Sequence, residues 1–244
     1  MPAGTSHHLP VTIRVARSDA DLRKVLAVRA AAAGGAGAQA ANAAPETWDL
    51  RPNATLLLAE SRTDGAALGS LRILANERGR LAIEDRVDLP AALKAGSVAE
   101  ASRLAVRPGR NATLVRLMLW KAFHRYCLAA QVDTMLIAVR EPTAHQYEWL
   151  GFRDPQTGPL RFSPDGHGAA THRLMTLGVF EAHERSLQGG HPLHDFFFVE
   201  RHPEIDLLAA VGGSGSGSGR AAERGTALPD HARIAAQLQE VAIV

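Results

Sequence analysis

Residues 11–17 (VTIRVAR) alternate apolar and polar positions, the period of a half-buried strand. Ser18 then precedes DADLRKVLAVRAAAA, where Val25, Leu26 and Val28 predict a helix with Ser18 or Asp19 as its N-cap. From Ala30 to Ala44 the chain is almost wholly Ala and Gly, with Gly34, Gly35 and Gly37 inside it, which predicts a variable loop that begins as a helix. Two apolar runs, 54–60 and 67–74, flank a turn at Thr63-Asp64-Gly65 and predict an antiparallel hairpin. A third strand is expected at 98–106, ended by Pro108-Gly109. Residues 112–130 predict a long helix, apolar on most faces and so largely buried. A fully apolar strand at 134–139 and a short helix at 143–150, stopped by Gly151, complete the regular part. The order predicts a mixed α/β fold with a strand-helix-strand unit near its middle. After residue 160 the pattern weakens, although Phe196-Phe197-Phe198-Val199 must find burial.

Composition bounds this picture without changing it. At 46% hydrophobic and 21% charged residues the 244-residue chain is ordinary for a globular protein. It contains no run of ~20 apolar residues that could span a membrane. The N-terminus lacks a basic stretch followed by an apolar block, so no secretory signal is expected. The single cysteine, Cys127, excludes an internal disulfide framework and favours a reducing, cytoplasmic setting. The expected division is a disordered leader at 1–10, one domain at 11–210, a Gly/Ser-rich linker at 211–227, and a tail or docking helix at 228–244. Basic and acidic residues nearly balance, 27 against 25. No dense basic run with interleaved aromatics points to nucleic acid. The arginine-rich basic set, with only Lys24, Lys94 and Lys121 as lysines, suits small anions, carboxylates or an acidic partner surface.

Candidate chemistry concentrates in Val98-Ala-Glu100-Ala-Ser102-Arg103-Leu104-Ala-Val106, which sets an acid, a hydroxyl and a guanidinium in an apolar strand. A desolvated Glu100 has a raised pKa, suited to taking a proton from an amine. On a regular strand Glu100 and Ser102 share one face and Arg103 the other, so all three meet one ligand only if the strand bulges or splays. A structural ion pair or a solvent-facing acid is the alternative. The following turn, Arg107-Pro-Gly-Arg110-Asn111-Ala-Thr113, opens the long helix with backbone N–H groups that suit phosphate, or is an ordinary loop. Tyr147, before Gly151-Phe152, is either a proton donor to a leaving thiolate or a core residue. His191-x-x-His194-Asp195 contains a proline and has no second cluster at zinc spacing, so no metal is expected. His124 reads as a packed or surface residue of the long helix.

Strand, turn, long helix, apolar strand and Tyr-x-x-x-Gly-Phe in that order resemble the Gcn5-related N-acyltransferase (GNAT) superfamily. Glu100-x-Ser102-Arg103 is similar to the Glu-x-Ser-Arg motif of acyl-homoserine lactone synthases. Asp49-x-Arg51-Pro52-Asn53-Ala54-Thr55, Gly69-Ser70-Leu71-Arg72, Glu100 to Val106, and His202-Pro203-Glu204-Ile205 together resemble the FeeM-type long-chain N-acyl amino acid synthases of bacteria. The resemblance spans roughly residues 11–208. It implies a central mixed, mostly antiparallel sheet flanked by helices, with a flexible C-terminal extension. It also implies an enzyme that moves a medium- or long-chain fatty acyl group from acyl carrier protein to the α-amine of an amino acid. Glu100 would be the base, with Ser102 and Arg103 beside it in the catalytic set. Arg72 and Arg103 would hold active-site carboxylates or that of the acceptor. Asp49 and Arg29 would lie near the acceptor pocket, and Tyr147 beside the substrates. Leu104, Val106, Arg110 and Asn111 would line the acyl-phosphopantetheine path, with the chain between the strands around 104 and 136. No resident cofactor is implied, because the phosphopantetheine thioester is itself a substrate. Arg110 stands where a coenzyme A signature has its central Gly, which favours acyl carrier protein as donor. A lactone synthase, a coenzyme A-dependent acetyltransferase and a non-catalytic acyl-carrier-binding regulatory module are the alternatives. The absence of a spanning segment leaves room for peripheral membrane contact.

Overall fold

A computed structural model describes residues 9–34, 44–163 and 171–207. The expected linker at 211–227 and tail at 228–244, most of the leader, and residues 35–43 of the Ala/Gly stretch lie outside the described residues. One eight-stranded sheet organises the rest: β1 (Val11–Val15), β2 (Ala54–Ser61), β3 (Ala67–Ala75), β4 (Val98–Val106), β5 (Thr134–Arg140), β6 (Leu160–Phe162), β7 (His172–Gly178) and β8 (Ile205–Asp206). Its spatial order is β6-β7-β5-β4-β3-β2-β1-β8. The pairs β4–β5 and β1–β8 are parallel and the others antiparallel. The sheet is thus mixed and mostly antiparallel, as expected.

Two helices sandwich the sheet. On the front, α1 (Asp19–Ala32) crosses β2, β3 and β4. Its start is a capping box: Ser18 Oγ accepts from the Asp21 N–H at 3.1 Å, and the Asp21 carboxylate accepts from the Ser18 N–H at 3.3 Å. Arg14 on β1 donates to the same carboxylate at 2.5 Å, tying the helix start to the sheet. Three short elements between β3 and β4 cover the rest of that face: turns at Asn76–Arg78 and Ala82–Asp85, then α2 (Ala91–Ala95). At the back lies α3 (Ala112–Ala129), whose buried residues include Val115, Met118, Leu119, Trp120 and Phe123. Gly69 allows this close approach, since a Cβ there would fall 2.6 Å from Val115 Cγ1 and 3.3 Å from the Ala105 carbonyl oxygen. The short helix α4 (Ala144–Trp149) and α5 (Glu181–Gln188) close the β5–β7 end.

The large core lies between sheet and α3. The front carries two smaller cores, one of Val25, Leu56 and Leu58 under α1, the other of Leu74, Leu81, Ile83, Leu89, Val98, Leu136 and Leu174 under the 81–95 segment. Between these apolar patches the front face is polar.

One expectation is corrected. Phe196 inserts into the core, but Val199 lies 61% exposed. Residues 195–199 form a helical turn of π type, and four consecutive residues of a helical turn point in too many directions to share one buried face.

Candidate active site

The central irregularity is in β4. Arg72 pairs with Ser102 and Ser70 with Ala105, so one residue of β3 (Leu71) faces two of β4 (Arg103 and Leu104). This is a β-bulge, and Arg103 takes a positive φ of 54° to make it. The extra residue shifts the strand's alternation. Glu100 and Ser102 lie on the front, while Leu104 and Val106 pack against the rear core. The parallel pairing with β5 runs only from Val98 to Ala101. Beyond that β5 stays paired to β7 through Arg140. The two strands therefore part where Ser102 begins, and beyond Ala101 the β5-facing edge of β4 has no ladder partner among the described residues.

Glu100 faces Leu74 and Leu136 on the neighbouring strands and is only 5% exposed. Its Oε2 accepts from the Ile83 N–H at 3.0 Å. Burial pushes its pKa above the usual carboxylate range. The Ile83 N–H, the Arg72 charge and the Ala82 N–H pull the other way without cancelling that effect.

Next to it runs a network of opposite charges. Arg72 Nε donates to Ser102 Oγ at 3.1 Å, and its Nη1 donates to Glu46 Oε2 at 2.9 Å and Asp49 Oδ1 at 3.2 Å. Asp49 Oδ2 accepts from Arg29 Nη1 at 2.8 Å and the Glu46 N–H at 2.9 Å. The Asp49 side chain is fully buried. Burial opposes its charge, but the Arg29 hydrogen bond and charge, with the Glu46 N–H and Arg72, outweigh that and hold its pKa below the usual range. Arg103, 54% exposed in its side chain, pairs with Glu46 Oε1. Arg29, brought in by the last turn of α1, has two further guanidinium nitrogens, Nε and Nη2, that are buried without a hydrogen-bond partner among the described residues. An unpaired buried donor costs about 1–3 kcal/mol, which an anion can recover.

The bulge and the charge network bring Glu100, Ser102, Arg103, Arg72, Asp49 and Arg29 to one front-face site. Sequence reasoning missed Glu46, which joins Arg72 to Arg103, and the N–H groups of Ala82 and Ile83 that hold Glu100. Glu46-x-x-Asp49 beside Trp48 was the available signal for the first. Backbone donors leave none.

The remaining predicted residues lie elsewhere. Tyr147 is on the rear side, its ring edge-on to Trp120 at 5.6 Å and to Phe152 at 6.4 Å, and burial raises its pKa. Arg110 is exposed and Asn111 precedes α3 without a side-chain capping bond. A cavity of about 210 Å³ lies behind β5 and β7, walled by Met135, Leu177, Trp120, Trp149, Phe152 and Phe198 among others. It flanks Met135 on the rear, whereas Leu136 belongs to the front core. His191 and His194 bond the Trp149 carbonyl at 2.9 Å and Ser186 Oγ at 3.2 Å. His124 bonds the Val179 carbonyl at 3.1 Å within the packed interior. Among the described residues no group of three or more His, Cys, Asp or Glu is placed to hold a metal ion, and no helix is long and apolar enough to cross a membrane.

The sequence profile described as "N-acyl amino acid synthase FeeM" matches residues 31–175. No curated protein matches the chain. Among solved structures, FeeM, an N-acyl amino acid synthase from uncultured soil microbes, superposes with a TM-score of 0.57 at 16% identity, covering 77% of this chain and 99% of that one. A coenzyme A-dependent acyl-homoserine lactone synthase, BjaI, solved with SAM and isopentyl-CoA, gives 0.52 at 14% identity, covering 81% and 93%. These likenesses are of fold.

Proposed function

Since the chain belongs to the FeeM family of N-acyl amino acid synthases and is an acyltransferase of GNAT fold, we propose that it transfers a medium- or long-chain acyl group from acyl carrier protein to the α-amine of an amino acid. The amine nitrogen attacks the thioester carbonyl, the C–S bond breaks, and the carrier leaves as a thiol that takes up the proton the amine releases. The observation that carries this reading is Arg29. Its buried, unpaired guanidinium nitrogens sit beside the Asp49–Arg72–Ser102 network, a place where an acceptor carboxylate would complete the pairing.

The other groups take complementary parts. Glu100, made more basic by burial, accepts the amine proton directly or through water. Glu46, Asp49, Arg72 and Arg103 are then the frame that fixes Arg29 and Ser102, since their charges already satisfy one another. The unladdered edge of β4 suits an extended phosphopantetheine arm, which would hydrogen-bond along it as an added strand does. Backbone N–H groups at Arg110 and Asn111 would meet the arm's phosphate at the start of α3. The acyl tail would pass between the parted strands, along Leu104 and Val106 and past Tyr147, into the rear cavity. Holding amine and carbonyl in contact, with backbone N–H groups stabilising the tetrahedral oxyanion, would supply the acceleration.

The test is mass spectrometry of lipid extracts from bacteria expressing the wild type or Glu100→Gln, followed by assays of the purified protein with acyl carrier protein and acyl-coenzyme A donors. Masses equal to fatty acid plus amino acid minus water, lost in an equally abundant folded variant, are expected. S-adenosylmethionine turnover, or binding of acylated carrier without turnover, would replace the reading with a lactone synthase or a regulatory module.

A further inference from the structure

The turn at Ala82–Asp85 carries a second carboxylate that the proposed reaction leaves unused. Glu84 Oε1 accepts from the Leu81 N–H at 2.7 Å, and the Glu84 N–H returns to the Leu81 carbonyl at 3.3 Å. Two positions after Leu81, the Ile83 N–H donates to Glu100 Oε2 at 3.0 Å. The first N–H groups of a helical turn have no partner within it. Here two carboxylates answer them, Glu84 from the turn itself and Glu100 from β4. The turn is also anchored. Leu81 and Ile83 are buried in the front core, and Asn53 Nδ2 donates to the Ala75 and Arg80 carbonyls at 3.1 and 3.0 Å. On the sheet, Glu100 has Leu74 and Leu136 as cross-strand neighbours. Apolar neighbours cannot fix a carboxylate about its last bond, where rotation is soft. The Ile83 N–H supplies that direction.

We propose that Glu84 is a positioning residue for the acyl transfer: by holding the Leu81 N–H it fixes the turn that aims the Glu100 carboxylate. This rests on reading Glu100 as the base. Glu84 acts through Leu81 and Ile83 and not on the reacting atoms. Its charge adds a second effect at the same place. Arg72 on β3 and Glu84 on the turn are the charged groups that bear on Glu100; Arg72 lowers its pKa and Glu84 raises it. Substitution separates the two effects. Glutamine keeps an oxygen for the Leu81 N–H and removes the charge. Alanine removes both, leaving the Leu81 N–H without its acceptor.

The experiment follows the Ile83 amide of the full chain by NMR as pH is varied, with steady-state kinetics on acyl carrier thioester and amino acid alongside. An amide bonded to a carboxylate reports the ionisation of that carboxylate in its own chemical shift. In the wild type the Ile83 amide is expected to titrate with a midpoint above the ordinary glutamate value, and Glu100→Gln to remove the step. Glu84→Gln is expected to keep the step, move its midpoint to lower pH, and lower kcat by no more than about threefold, the effect of a weaker base. Glu84→Ala is expected to lose most of the step and to lower kcat about tenfold to 10²-fold, with little change in the KM for the amino acid. Glu84→Leu, closer in size to glutamate and without an acceptor, covers the case in which alanine disturbs the packing of the turn. A step and a kcat that survive in both Glu84→Ala and Glu84→Leu overturn the proposal, as does an equal loss in Glu84→Gln. A wild-type Ile83 amide that does not titrate, with turnover intact, overturns it and leaves the synthase reading standing. Absence of turnover with every donor removes the synthase reading, and the amide titrations still decide whether Glu84 holds Glu100.

Discussion

Asp49→Asn tests the front-face frame most directly. Asparagine keeps the shape and one acceptor oxygen. If that oxygen takes the Oδ2 position it still accepts from Arg29 Nη1 and the Glu46 N–H, and the new NH2 then points at Arg72 Nη1, 3.2 Å from the present Oδ1. Two guanidiniums, one 4% exposed at its side chain and the other 13%, lose their shared counter-charge. Breaking a buried pair from one side costs about 3–5 kcal/mol. Arg72 keeps Glu46 and Ser102, so the lower end, about 3 kcal/mol, is expected. In a chain of this size that is a melting point lower by about 6–12 °C. Because folding lowers the Asp49 pKa, its contribution is complete above the unfolded value, about 3.9, and is lost as pH falls through the folded value. The gap between wild type and variant, read by calorimetry, should therefore be constant above pH 5 and close on further acidification. Adding Arg29→Gln should cost less than the sum of the single changes, because it removes the charge left stranded. A melting point within about 2 °C of wild type at pH 7 would refute the pairing on which the site is built.

Three further outcomes follow from the same geometry. Arg29→Gln should raise the KM for the amino acid about tenfold or more and change kcat little, as checked by steady-state kinetics with the acceptor varied. Glu100→Gln should lower turnover about 10²–10⁴-fold and remove from the residual kcat/KM profile the acid limb, which in the wild type is displaced upward from the ordinary glutamate position. Since folding raises the Glu100 pKa, its ionised form opposes folding increasingly as pH rises above the unfolded value, so this variant should melt no lower than wild type at pH 7. Gly69→Ala should destabilise by about 1–3 kcal/mol in denaturant melts, because its Cβ meets Val115 at 2.6 Å and strand backbone behind it.

Local chemistry was legible in the sequence wherever neighbours decide it. Ser18 and Asp21 cap α1 through bonds spanning three residues, and the hairpin 54–75 and the β4-α3-β5 unit follow from periodicity. The need for a distortion at Ser102-Arg103 could be stated from strand parity alone. Its form, one residue of β3 against two of β4, depends on Ser70 and Arg72 some 30 positions away. Glu46 escaped notice because an exposed-looking acid after Pro45 acquires meaning only when Arg72 and Arg103 arrive from two strands. The short strands β6 and β8 take their conformation from the edges they join. The rear cavity is formed by residues from Trp120 to Phe198, a separation no local pattern encodes.

The bulge at Arg103 has one more consequence. A strand normally assigns alternate residues to two surfaces along its whole length, so the two surfaces are coupled residue by residue. The inserted residue breaks that coupling: upstream of it β4 serves the charged front through Glu100 and Ser102, and downstream it serves the apolar rear through Leu104 and Val106. In the proposed reaction, recognition of the two substrates would thereby be divided between halves of one strand and opposite sides of one sheet. In the proposed reaction, changes among residues 115–124 and 177–198 would alter the chain accepted without redesigning the frame of Glu46, Asp49, Arg72 and Arg103 that holds Arg29 for the acceptor carboxylate.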